Sequence, residues 1–418
     1  MIDLAVLRES PNALRDALRR RHSDIDVDEL VRLDERRRTI RSEAEQIRAD
    51  QKVAGKQIPS LEGQEREQAI ADAGRLAESY KRLLSEADEL DEEFQKLWIT
   101  VPNMAHPSSP EGTTEEDAVE VHRWGNRAEF DFPVRDHQDL GEFLGIIDIE
   151  RAVRISGSRF AYLKGKAAQL EFGLVRFAMD RLTAKGFTPV IPPVLVREEA
   201  LFGTGFFPTE RDQVYAVERD ELFLVGTSEV SLAALHLDEI LDAEELPIRY
   251  AGSSSCFRRE AGTYGKDTSG IFRMHQFNKV EMFSFCHPEQ SWEEHEYMLS
   301  IEEQVLQELE LPYRVVNVAV GDLGAPAAKK YDIEVWVPSQ EAFREITSCS
   351  NTTDFQARRL RARFRDETGN RFVHTLNGTV VTSSRTILAI IENHQQADGS
   401  VKIPVALQPY VGFDAITP

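Results

Sequence analysis

Three cysteines among 418 residues cannot make a disulfide framework. Cys256, Cys286 and Cys349 also lie too far apart for a CxxC pair or a Cys/His zinc spacing, so three reduced, packed thiols are expected. Long apolar runs are missing as well. No stretch is apolar enough to span a bilayer, and no charged segment leads into an apolar one as in a secretory signal. The N-terminal MIDLAVLRES reads as folded protein. No membrane contact and a cytoplasmic location are therefore the expectation. Neither GxGxxG nor GxxxxGK[ST] occurs, and strands do not alternate regularly with helices, which argues against a doubly wound nucleotide-binding fold. Positive charge is in deficit. Fifty Lys and Arg against 72 Asp and Glu give a net charge of -22, which argues against a general nucleic-acid binder.

What is present is ordinary in bulk and uneven in detail. Hydrophobic residues make up 41% and charged residues 29%, and the length suffices for two or three domains. Residues 15–60 hold 12 Lys/Arg against 10 Asp/Glu, whereas residues 61–100 hold 5 against 11. Ala73, Leu76, Tyr80, Leu83, Ala87, Leu90, Phe94 and Leu97 recur in alternating steps of three and four, the seam of a coiled coil. Leu30, Leu33, Ile40, Ala44, Ile47 and Ala54 offer a partner seam, interrupted by Arg37 and Gln51 at heptad positions. Gly55 to Gly63, with Pro59 and Ser60, supplies turn chemistry between them. An antiparallel hairpin over about residues 30–98 follows. At 1.5 Å per residue it makes an arm of roughly 45 Å. An arm so thin is a dimerisation device or a reach toward a large ligand. Its basic clusters, Arg19–Arg21 and Arg36–Arg38, are a solvated face or a phosphate contact. Before the arm, Ser10 and Pro11 predict a helix start.

After Trp98 the segment VPNMAHPSSPEGTTEED, with three prolines, reads as a linker. Beyond it the pattern predicts strands at 222–225, 272–285, 332–337 and 372–381, and helices at 167–185, 228–236, 291–309 and 351–363. An α+β domain with an antiparallel sheet flanked by helices is the natural reading.

Several stretches carry more chemistry than packing requires. In CFRREAGTYGKDTSGIFRMHQFNKVEMFSF, Arg258, Arg259 and Glu260 precede a loop with Gly262, Gly265, Lys266 and Gly270. A second strand then carries Arg273, His275, Phe277 and Glu281. Arginines and an aromatic on either side of such a loop suit a nucleoside triphosphate or, more plainly, a surface hairpin with ion pairs. In EITSCSNTTDFQARR, Glu345 and Ser348 offer the oxygen ligands that Mg²⁺ prefers. Arg385 opens an apolar helix, and Glu392 lies on the same face seven residues on.

Taken together these stretches resemble the three motifs of class II aminoacyl-tRNA synthetases. KGFTPVIPP (residues 185–193) resembles the first, whose proline, here Pro192, belongs to a dimer interface. FRRE with its loop resembles the second, and NGTVVTSSRT with the following helix the third. TSE (227–229), RREAG (258–262), HQFNKVEMF (275–283), TSCSN with DFQARR (347–359), ISGSRFAYLKG (155–165), the linker PNMAHPSSPEG and the arm are similar to bacterial seryl-tRNA synthetases over essentially the whole chain. The interval between Gly378 and Arg385 is TVVTSS, where relatives often carry further glycines.

The resemblance implies a catalytic domain over 111–418 and a tRNA-binding domain over 1–110. It implies ATP and L-serine as substrates, Mg²⁺, a homodimer, and serine tRNA (with selenocysteine tRNA where that pathway exists) held by the arm across the dimer. It further implies roles. Arg258 holds the α-phosphate and the serine carboxylate, with Arg259 beside it at the ATP. Glu260 contacts the nucleotide end, Phe277 and Arg385 sandwich adenine, and Met274 touches ATP. Glu345, Ile346, Thr347 and Ser348 bind ATP, with Glu345 and Ser348 on the metal. Thr227, Ser228, Glu229, Glu281 and Thr379 bind serine. Arg258, Glu260 and Arg385 are the expected catalytic set. Alternatives are a synthetase-like paralogue that binds RNA, or one that loads an amino acid onto a carrier protein. The long arm speaks against the carrier ligase, and the retained Arg258, Glu260, Glu345 and Arg385 against a non-catalytic paralogue.

Overall fold

The computed structural model describes residues 1–262 and 270–418, so the expected Gly265 and Lys266 of the loop lie outside the described residues. The chain divides into two compact units, Ile2–Val101 and Pro102–Pro418 together with Met1.

The smaller unit is helical: α1 (Leu4–Glu9), α2 (Pro11–Arg20), α3 (Val27–Gln57) and α4 (Gly63–Trp98). Ser10 sits at the N-cap of α2 but makes no side-chain capping bond, so Pro11 sets that start alone. Asp26 does cap α3, accepting from Asp28 N and Glu29 N. The turn is shorter than its glycines suggested. Gly55 lies inside α3, and a single 3₁₀ turn, Ile58–Ser60, leads to Gly63 at φ 57°. The seam is tightest near the base, where Leu30, Leu33 and Ala44 are buried, as are Leu83, Ala87, Leu90, Phe94 and Trp98. Trp98 rather than Leu97 closes it, because Leu97 faces solvent.

Arg37 does not break the seam. Its guanidinium lies over the Phe94 ring at 4.1 Å and pairs with Asp34 at 2.6 Å and Asp91 at 3.1 Å. The acidic helix turns carboxylates toward the basic one: Glu86 pairs with Arg36 at 2.9 Å, and Asp91 pairs with Arg41.

The larger unit is built on an eight-stranded sheet of described residues. Its strands are β1 (Val119–Trp124), β2 (Thr188–Val190), β3 (Ile248–Phe257), β4 (Gln276–Cys286), β5 (Tyr313–Asn317), β6 (Lys329–Val337), β7 (Ala342–Asn351) and β8 (His374–Thr382). Their order is β1-β5-β6-β7-β8-β4-β3-β2, antiparallel except for the parallel edge pair β2–β3. The helices that build the site are α5 (His137–Phe143), α6 (Lys166–Ala184), α7 (Glu229–Ala233), α8 (Ser291–Glu308), α9 (Phe355–Leu360) and α10 (Ser383–Asn393). The predicted strand from 272 starts only at Gln276. The predicted helix 351–363 contracts to α9, because Asn351 still pairs in β7 and Thr353 takes φ 49°.

The period of two along β4 decides which face does what. Val280, Met282 and Cys286 join a core with Leu170, Leu174 and Phe177 of α6, Met298 and Val305 of α8, and Ile387–Ile391 of α10. On the other face, Phe283 and Phe285 pack with Leu232, Ala233, Leu360 and Phe364. Phe277, Lys279 and Glu281 share that face and are left to line a cleft.

Candidate active site

The cleft encloses about 240 Å³. Its floor is β4, β8 and β7, with Lys330 of β6 beside them, and two β-bulges shape it. Val380 is an extra residue in β8 opposite β4, so Glu281 sits across from Thr379 and Lys279 across from Thr382. Without that bulge Thr379 and Thr382, three apart, would point to opposite faces; both line the cleft. Ile346 is the extra residue in β7 opposite β6, and it puts Glu345 and Ser348 on one face in the same way.

The register gives the cleft two ends. Phe277 to Glu281 spans four residues of extended chain, about 13 Å. At the Glu281 end, Lys279 Nζ lies 2.5 Å from Glu281 Oε2, and Thr379 Oγ1 donates to the same oxygen at 3.3 Å. Glu229 accepts from Gln356 Nε2 at 2.7 Å and from Asn377 Nδ2 at 3.0 Å. Burial, reinforced by Glu281, pushes Glu229 up to about 7. Thr227 lines this end and accepts from the Glu229 backbone N–H at 3.2 Å.

At the other end, the Arg385 guanidinium lies over the Phe272 ring at 4.7 Å, with Glu345 Oε2 3.4 Å away. Arg258 lies over the Phe277 ring at 5.3 Å. Arg258 Nε donates to Gly226 O at 3.2 Å, and its side chain packs over that glycine. Glu260 pairs with Arg273 at 3.3 Å and holds a left-handed φ of 50°. That conformation costs a non-glycine residue about 1–2 kcal/mol and is typical of functional sites. Glu345 keeps 46% of its side-chain surface open to the cleft. Burial alone would raise its pKa, but Arg385, Lys330 and Arg258 hold it below the usual value, ionised.

Glu345 and Ser348 therefore present a carboxylate and a hydroxyl side by side. No group of three His, Cys, Asp or Glu that could cage a metal occurs among the described residues. Two oxygens completed by water and substrate phosphate are what Mg²⁺ uses in such sites, so the residues fit the ion.

Of the sequence-predicted residues, Thr227, Glu229, Arg258, Glu260, Met274, Phe277, Glu281, Glu345, Ile346, Thr347, Ser348, Thr379 and Arg385 line this one cleft. Two do not. Ser228 is fully buried at the start of α7, with its hydroxyl unpartnered among the described residues. Arg259 stands beside Tyr215, its guanidinium 6.0 Å from the ring centroid. Residues that sequence reasoning missed are Lys279, Asn377, Lys330, Gln356 and Glu210. The alternation Phe277–Lys279–Glu281 and Asn377–Thr379 would have found the first two. Lys330 faces the cleft from β6 and pairs with Asp332 at 3.3 Å. Gln356 reaches Glu229 from α9 and Glu210 lines the rim, neither with any local signal.

An antiparallel sheet that carries Arg258 and Glu260 after one strand, Glu345 on a second and Arg385 at the start of the helix after a third defines the core of a class II aminoacyl-tRNA synthetase. A family model of the class II core domain (G, H, P, S and T) matches residues 213–394, and one of the seryl-tRNA synthetase N-terminal domain matches residues 1–105. The serine–tRNA ligase of Thermobifida fusca is 52% identical over 100% of this chain and 99% of its own; that of Streptomyces coelicolor is 50% identical over 99% and 98%. The crystal structure of seryl-tRNA synthetase from Pyrococcus horikoshii complexed with ATP superposes with a TM-score of 0.95 at 43% identity, covering both chains completely. The chain belongs to the seryl-tRNA synthetase family and is an aminoacyl-tRNA ligase.

Proposed function

We propose that the two ends of the cleft divide the work of serine activation. ATP binds at the Arg385 end, with adenine between Phe277 and Arg385. Met274 and residues 345–348 lie along the nucleotide, and Arg259 and Glu260 sit beside it. L-Serine binds at the Glu281 end. Glu229 and Glu281 neutralise its ammonium and accept from its hydroxyl, with Thr227 and Thr379 alongside and Ser228 supporting Thr227 from behind. Arg258 lies between the ends and reaches both the α-phosphate and the serine carboxylate. The carboxylate oxygen attacks the α-phosphorus, the bond to the bridging oxygen breaks, and pyrophosphate leaves. Arg258 offsets the repulsion between the two anions and the charge that develops in the transition state. Glu345 and Ser348 would hold Mg²⁺, which when bound neutralises phosphate charge. The terminal ribose hydroxyl of serine tRNA then attacks the carbonyl of seryl-adenylate and releases AMP. Alanine, lacking the hydroxyl, would leave the buried Glu281–Thr379 pair short of a partner, so the site discriminates against it.

The observation that carries this reading is the convergence of Glu229, Glu281 and Thr379 at one end of a cleft whose other end holds Arg385 and Glu345. Serine-dependent exchange of pyrophosphate into ATP tests it. Arg258→Ala should lower exchange by roughly 10²–10³-fold, the usual loss for a transition-state donor. Exchange at the parent rate would remove Arg258 from its role.

The protein works as a cytoplasmic homodimer. In support, Phe172 on α6 and Ile191 after β2, in and beside the first-motif region, are 74% and 91% exposed in one copy. Sedimentation should return twice the 47.4 kDa chain mass; a fully active monomer would end this view. No helix of the described residues is long and apolar enough to cross a membrane. The helical arm binds the long variable arm of serine tRNA.

A further inference from the structure

Phe272, Arg273 and Met274 line the Arg385 end, and the backbone just before them is anchored by a buried pair that the reaction does not use. His137, at the start of α5, accepts from the Ile271 backbone N–H at Nε2 (3.1 Å), and its Nδ1 lies 2.8 Å from Glu392 Oε1. A backbone N–H can only donate, so Nε2 carries the lone pair and Nδ1 the proton. Glu392, completely buried on α10, also accepts from the backbone N–H groups of His137 (3.1 Å) and Ser339 (3.0 Å). Gln138 Oε1 accepts from Gly270 N at 2.8 Å. Gly270 has φ 72°, and a Cβ there would collide with His137 Nε2, so this backbone lies flush against the imidazole. Two turns before Glu392 on the same helix, Arg385 stacks on Phe272 and directs Nε at its carbonyl oxygen, 3.5 Å away. Helix α10 thus grips the segment 270–274 twice, once directly and once through His137.

We propose that His137 and Glu392 are positioning residues for ATP: they fix segment 270–274 against α10, so that Phe272 and Met274 stand at the correct height beside Arg385. This rests on reading the Arg385 end as the nucleotide end. The relay touches only that end, so its loss separates the two substrates. In pyrophosphate exchange, His137→Ala should raise KM for ATP about tenfold, the scale of one lost buried hydrogen bond. KM for serine should stay within about twofold. His137→Gln, which keeps an acceptor for Ile271 N–H, should recover part of the loss. Gln138→Ala, a milder change at a half-exposed side chain, should raise KM for ATP roughly twofold, and it decides the matter if His137→Ala does not fold. Unchanged KM for ATP in a folded His137→Ala, or in Gln138→Ala where His137→Ala does not fold, overturns the relay, and so does an equal rise for both substrates. Arg385→Ala, run alongside, reports on the underlying reading: if it leaves KM for ATP unchanged, the assignment of the ends is wrong whatever His137 does.

Discussion

The arm and the cleft treat charge in opposite ways. In the arm, Arg36, Arg37 and Arg41 each find a carboxylate on the facing helix, and Arg8 closes on Asp34 from α1 at 2.8 Å. Most of these pairs are open to water and worth a few tenths of a kcal/mol each; Arg37, covered by Phe94, is the exception. In the cleft domain Glu281 has Lys279, but two other buried carboxyls are left without a cation in hydrogen-bond contact: Glu229 is bonded to two amides, and neither oxygen of Glu302, beneath the sheet, has a hydrogen-bond partner among the described residues. Pairing that closes within the chain supports the fold and can be exchanged for phosphate at little cost. Charge left unmatched in a pocket is held ready for a ligand.

The largest test of that contrast removes one side of it. Replacing residues 35–95 with a short Gly-Ser link should leave serine-dependent pyrophosphate exchange within about twofold of the parent, while charging of serine tRNA falls below detection. The scale is that of several lost phosphate contacts, each steeply salt-dependent in the parent. Charging that survives would mean the arm's arginines serve only their own carboxylates.

A smaller effect is expected from Glu229. Its pKa of about 7 makes it half protonated at neutral pH before serine binds. The carboxylate attracts the serine ammonium and the neutral acid does not, so KM for serine should fall as pH rises from 6 to 8, by about tenfold for a group titrating at 7. Glu229→Gln should raise KM and flatten the slope. A KM that is flat, or that climbs with pH, would show that Glu229 does not meet the ammonium.

Much of the arm was legible because its signal is periodic and local: the Ala73–Phe94 steps alone predict the helix and its buried stripe. The cleft was legible through motif resemblance, which brought Arg258, Glu281, Glu345 and Arg385 to one place without saying how. What stayed hidden is non-local. The bulges at Val380 and Ile346 leave no mark in sequence, yet they decide which side of the sheet Thr379 and Glu345 face. Arg37 looked like an error in a seam, because heptad counting has no account of a guanidinium lying on a ring of the facing helix. Glu392 was noticed for standing on the face of Arg385, but its partner, His137, is 255 residues away. Short elements also escaped: α9 was drawn twice too long because Asn351 belongs to a strand that ends where the pattern still reads as helix.

The smallest effect, and the sharpest probe of unmatched charge, concerns Glu302 on α8. Its carboxyl lies behind the cleft floor, where a Cβ on Gly378 would come within 2.6 Å of Oε1. Burial pushes its pKa well above the carboxylate range, and neither of its oxygens has a hydrogen-bond partner among the described residues. In the unfolded chain Glu302 titrates near 4.5. Between that pH and its native value the folded state holds a proton that the unfolded state has released, so stability falls as pH rises through this window. A glutamine stays neutral throughout and lacks this slope. Glu302→Gln should therefore gain on the parent in Tm on going from pH 5 to pH 8, by a few degrees for a domain of this size. If the two melting curves keep a constant separation across that range, Glu302 is ionised and paired in the native protein, and the contrast between arm and core fails at its most buried point.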